Sequence, residues 1–179
     1  MIWSKQFSAV FFLLPALLLF TSDVGARNWG RGTVSMQGSI IDAACAISVE
    51  SRDQTVNMGV SPTGGLREGQ ETSKPLSIEL INCALERPVP NHPGWRNFQV
   101  TFDGDADGQL FGISGDAKGI AIQISDEEGH IARPGEALPA GKIAPENMLL
   151  KYTIKIVSNN KVIVPGDYFS SIRFKMEYF

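Results

Sequence analysis

Two cysteines and two histidines are all that this chain of 179 residues offers as thiolate or imidazole ligands. The histidines, His92 and His130, stand beside Pro93 and Gly129 in separate turn-rich stretches, and no G-x-S-x-G nucleophile motif occurs. A two-cysteine metal site therefore lacks further ligands, and the sequence implies no metal, no cofactor and no catalytic substrate. Basic clusters are also missing. Sixteen Lys and Arg against 19 Asp and Glu give a net charge of −3, which leaves no electrostatic footprint for nucleic acid. Beyond Phe20 no apolar run approaches the roughly 20 residues that cross a bilayer. No long helical period, internal repeat or low-complexity tract is present.

What the chain does have begins at its N-terminus. Lys5 precedes an uncharged run from Phe7 to Phe20, and Val24-Gly25-Ala26 supplies the small residues that a signal peptidase reads. The run is too short for a membrane anchor and contains Pro15, so residues 1–26 read as a secretory signal peptide cleaved after Ala26. Arg27–Phe179 then remains, enough for one domain with a buried core. In an exported chain the even pair Cys45 and Cys83 reads as one disulfide.

The mature chain reads as strands separated by turns. Residues 76–81, 98–102, 119–124, 150–157 and 168–178 alternate apolar and polar side chains, and residues 36–49 are rich in small and β-branched ones. Segments 85–97, with four Pro or Gly, and much of 59–72 read as loop. Period two with turn clusters between predicts a two-layer antiparallel β-sandwich. In the last strand Ile172, Phe174, Met176 and Tyr178 share one face, and Arg173, Lys175 and Glu177 the other. Near the start, Gly30-Arg31-Gly32-Thr33-Val34-Ser35-Met36 also alternates, but its glycines leave it few side chains for packing. A final strand with no partner in the sequence beside a loose leader strand suggests strand addition between chains. An ordinary sandwich whose first strand starts at residue 30 is the plainer alternative.

Three motifs have a plain reading. Asp103-Gly104-Asp105-Ala106-Asp107-Gly108 opens like a calcium loop, but position 12 is Ser114 and no helices flank it, so it reads as a turn. Asp126-Glu127-Glu128 reads as a turn rather than paired catalytic acids. Trp95 and the 85–97 loop either pack at home or stack on a sugar.

The combination resembles the chaperone–usher pilin family, over nearly the whole mature chain. Gly38-Ser39-Ile40-Ile41-Asp42-Ala43-Ala44-Cys45 looks like the family's opening around its first cysteine, and Leu80-Ile81-Asn82-Cys83 like its second cysteine strand. Residues 117–124 resemble its central strand, and Gly166, Tyr168-Phe169 and the penultimate Tyr178 match its C-terminal pattern. The resemblance implies an incomplete immunoglobulin-like β-sandwich of six strands that lacks the seventh, with a Cys45–Cys83 disulfide. An N-terminal extension, residues 27–38, would precede a pilin domain, residues 39–179.

It further implies that a periplasmic pilus chaperone fills the open groove with its own strand. At an outer-membrane usher, the N-terminal extension of a neighbouring pilin subunit would replace that strand. Gly166, Ile172, Phe174, Met176, Tyr178 and Phe179 would form the groove and chaperone-facing strand, the Phe179 carboxylate being held by basic chaperone residues. Gly30, Gly32, Val34 and Met36 would donate to a neighbour, with Gly30 or Gly32 at the close backbone approach. Within the family, residues 118–139 and 152–178 are most similar to the subunit that terminates and anchors P-type pili, whose groove is blocked at one end. A shaft or adaptor pilin and a free-standing, lectin-like secreted module are the alternatives. The product would be a structural subunit at the bacterial surface, not an enzyme.

Overall fold

The computed structural model describes residues 32–38, 40–70, 72–87 and 92–179. The signal-peptide reading of residues 1–26, the donor position Gly30, and the central part of the 85–97 loop lie outside the described residues. The chain divides into two units, residues 1–40 and Ile41–Phe179. In the first, the described residues carry no helix or strand, and Gly32, Val34 and Met36 are all exposed.

The second unit is the sandwich. Its strands are β1 (Ala46–Ile47), β2 (Thr72–Cys83), β3 (Asn97–Asp103), β4 (Ala106–Asp107), β5 (Leu110–Phe111), β6 (Ser114–Gly115), β7 (Ile120–Asp126), β8 (Gly141–Lys142), β9 (Glu146–Ser158), β10 (Tyr168–Phe169) and β11 (Arg173–Tyr178). Two short helices, α1 (Val49–Arg52) and α2 (Thr63–Arg67), lie between β1 and β2. One antiparallel sheet runs β1-β2-β9-β7-β5-β4, a second β11-β3-β8, and β10 pairs with β6 alone. Six strands carry the architecture: β1, β2, β9 and β7 occupy the A, B, E and D positions of an immunoglobulin-type sheet, and β3 and β11 the C and F positions. The seventh position, G, lies beside F, and among the described residues no strand fills it.

Alternation places the core. In β3, Phe98, Val100 and Phe102 point inward while Gln99 and Thr101 alternate with them, and β7 buries Ile120, Ile122 and Ile124. Phe102 packs edge-on against Tyr152 at 5.0 Å between ring centroids. A second cluster, Met58, Leu66, Ala117, Ile120, Ile156 and Ile163, forms around α2.

Several local expectations require correction. The strand expected over 36–49 shrinks to Ala46–Ile47, because Ser48 and Ser51 turn the chain into α1. The Ser48 amide still donates to the Glu79 carbonyl at 2.9 Å, but the Glu79 amide goes to Ser51 Oγ at 2.9 Å, which also accepts the Ser48 hydroxyl at 3.0 Å. The region 59–72 holds α2 and the start of β2. The strand expected over 168–178 breaks after Phe169, where the Ser170 hydroxyl donates to the Gly112 carbonyl at 2.8 Å. The strand begins at Ile120 and not Gly119, whose φ of +79° suits glycine.

Candidate functional site

The site is built around the free edge of β11. This strand pairs antiparallel with β3 from Arg173↔Asp103 to Tyr178↔Phe98, and its other edge meets no strand among the described residues. Its side chains alternate as expected: Arg173, Lys175 and Glu177 are exposed, while Phe174, Met176 and Tyr178 are partly buried against the core, as is Ile172 just before it. None reaches full burial. An open groove of about 1130 Å³ runs beside this edge. One wall comes from Ile47 and the chain from Ser51 through Ser61, and the other is Ile163 through Phe174. Its floor comes from both sheets, with Phe102, Ile122, Ile124, Ile154 and Ile156.

Of the residues expected in the groove, Gly166, Ile172 and Phe174 line it. Met176 and Tyr178 continue the same face of β11, and Tyr178 meets Trp95 edge-on at 6.2 Å. Gly166 is where two segments touch: a Cβ there would lie 2.7 Å from Asp116 Cβ and 2.8 Å from the Ala117 nitrogen. Phe179 closes the register differently. Its main-chain oxygen accepts the amides of Arg96 and Asn97 at 3.0 and 2.8 Å, and its own amide donates to the Asn97 carbonyl at 3.0 Å. Burial pushes the Tyr178 and Tyr168 phenols up. Tyr152 is raised further, by burial first and then by Asp126 and Glu128. The floor residues were not singled out from the sequence. Their alternation marked them as core, and only the A-to-F order of strands shows that this core opens on one side.

The two cysteines form the expected disulfide, tying the entry of β1 to the end of β2. A bulge makes this possible. Between the pairs Leu80↔Met148 and Cys83↔Glu146 the register shifts by one residue, and Asn82 takes a φ of +52° that asparagine tolerates.

The remaining motifs lie elsewhere. Trp95 is packed, with the Arg87 guanidinium 4.1 Å over its ring and Tyr178 on its edge, while Arg87 also pairs with Asp42. The aspartates of the calcium-like loop diverge: Asp103 pairs with Arg173, and Asp107 with Lys161 and Asn159. The Lys161 and Asn159 hydrogen bonds hold the Asp107 carboxyl below the usual carboxylate range. Asp126, Glu128 and His130 bring ligand atoms within 4.8 Å of one another on an exposed turn, where both oxygens of Asp126 already meet His130. No described helix is long and apolar enough to cross a membrane.

A family model for fimbrial proteins matches residues 34–178. The chain belongs to the fimbrial protein family. Among relatives of this pilin, the PRS fimbrial minor pilin protein of Escherichia coli is 33% identical over 153 residues, spanning 84% of this chain and 78% of its own. The Fimbria A protein of Serratia marcescens is 31% identical over 174 residues, spanning 93% of this chain and 96% of its own. The crystal structure of the P pilus rod subunit superposes with a TM-score of 0.69 at 22% identity, covering 76% of the pilin and all of the rod subunit. At that identity the likeness shows the fold, an incomplete immunoglobulin-like sandwich. The pilin is thus a structural subunit of a bacterial surface fimbria, assembled with other pilin subunits.

Proposed function

We propose that this pilin is completed by a strand from another chain laid along β11, first a periplasmic chaperone's and then, at an outer-membrane usher, a neighbouring subunit's. The observation that carries the reading is the free β11 edge facing an apolar groove. A strand there would satisfy the edge amides and carbonyls and cover the exposed fraction of Ile172, Phe174, Met176 and Tyr178. Fully burying one such side chain is worth about 1.5–3 kcal/mol, which gives the empty groove a strong drive to be filled. Gly32, Val34 and Met36, exposed and outside any helix or strand, are the corresponding donor residues with Gly30, and residues 1–26 are removed on export. The family is one of structural subunits, and we assign the pilin no catalysis.

Within the fibre we infer the minor subunit that terminates or anchors it. The relatives named minor pilins support this. A shaft role is the competing reading, favoured by relatives such as the major MR/P fimbria protein of Proteus mirabilis, 32% identical over 160 residues. Electron microscopy of cells lacking the pilin separates them. Loss of the terminator gives long fibres that detach, and absence of fibres assigns the shaft.

A further inference from the structure

The Tyr168 hydroxyl is buried and has no hydrogen-bond partner. Its surroundings explain why. Tyr168 lies on the two-residue strand β10, packs against the cluster of Met58, Leu66, Ile120, Ile156 and Ile163, and also lines the groove. Every side chain in that cluster is apolar, and the one weak acceptor among them, the Met58 thioether, does not accept from the phenol. Native folds rarely leave a buried hydroxyl unpaired, and such a group calls for a physical account. Burial without a partner agrees with the raised pKa of this phenol.

We infer that Tyr168 is a specificity-determining residue of the groove: its hydroxyl finds a partner only when a neighbouring subunit's strand presents an oxygen acceptor at this end. The inference rests on the strand-completion reading above and adds to it a chemical requirement on the incoming strand. With the groove empty, the ring settles on the apolar cluster and takes the hydroxyl with it. The material around it is able to yield. The helix α2 has five residues, two of them Gly64 and Gly65, and Pro62 before it makes no side-chain cap. Leu66 is its one buried residue. Tyr168 itself follows Pro165-Gly166-Asp167 on a strand paired only through Tyr168↔Gly115 and Phe169↔Ser114. A small rotation of the ring on entry of a strand exchanges an unpaired state for a paired one. A strand that offers only aliphatic groups at this register leaves the hydroxyl unpaired and gains nothing from the exchange. Discrimination then follows from the unpaired group, as in any site built around one buried polar atom.

Tyr168→Phe removes one oxygen and keeps the ring. The oxidised chain refolded without a partner should show a denaturant midpoint at or above that of the wild type, because no hydrogen bond is lost. The same variant should bind a synthetic peptide of residues 30–38 about tenfold more weakly than the wild type does, the worth of one hydrogen bond. A lowered midpoint, or a variant that does not fold, would mean that the hydroxyl is already paired, and overturns the inference. Equal or tighter peptide binding overturns it as well, while leaving strand completion standing. If the wild type itself does not bind the peptide, strand completion by this segment fails and the inference fails with it.

Discussion

In the six-stranded sheet, β2 and β9 lie side by side from Thr72↔Ile156 to Leu80↔Met148, and Ile78, Leu80, Ile124 and Ile156 are at most 1% exposed. Across the sandwich, β11 has the same apolar alternation, yet not one of its side chains is fully buried. The two strands β3 and β11 sharpen the contrast, since they pair with each other: β3 buries Phe98, Val100 and Phe102, whereas β11 leaves Phe174, Met176 and Tyr178 half covered. Alternation thus sets which face a side chain joins, but the number of flanking strands sets how deep it goes. One sheet is finished by the chain itself. The other waits for a strand from outside.

The contrast is broken or confirmed by substitutions on each side. Leu80→Ala, in the finished sheet, should cost about 2–5 kcal/mol, toward the upper end because the side chain is wholly buried. Denaturant titration with the groove empty and then peptide-filled should give the same loss. A loss that shrinks on filling would mean that this sheet also depends on the partner. Cys83→Ser opens the tie across a separation of 38 residues and should cost about 4 kcal/mol in the chain-entropy account. It should expose one free thiol by mass spectrometry and lower the periplasmic yield. Met176→Ala should have the smallest effect on the isolated pilin, about 1 kcal/mol, since the side chain is only partly covered there. Its larger consequence should appear as reduced co-purification with the chaperone. Normal recovery of that complex would count against β11 as the docking strand.

Much of this was legible in the residues. The strict alternation of Phe98–Phe102 and the run 150–157 placed β3 and β9, because one-sided burial in a sheet imposes period two. The disulfide followed from an even cysteine count in an exported chain. The turn at Ser48–Arg52 was not legible: its hydrogen bonds reach Glu79, and nothing local to the serines announces that contact. Nor was α2, since a helix containing Gly64-Gly65 has poor propensity and persists by burying Leu66. The face of β11 was readable, and its donor segment remains an expectation. The groove floor was not, since it assembles Phe102, Ile122 and Ile154 from three strands far apart in sequence. Tyr168 stood in a familiar pattern, but its unpaired hydroxyl is a property of packing.

The register of β11 on β3 also sets a timetable. Arg173 meets Asp103 and Tyr178 meets Phe98, so each contact closes a stretch of roughly 70–80 residues. Such closures come late, because the chain must give up the freedom of everything between before any pairing repays it. Until then β3 itself has a bare edge, and Val100 and Phe102 lack the strand that shields their flank. Before this closure β3 and β11 both present a bare edge along their paired span, and after it only β11 does. A helper present during export would meet the chain at its most aggregation-prone moment, and its benefit would be measured in folding time as much as in final stability.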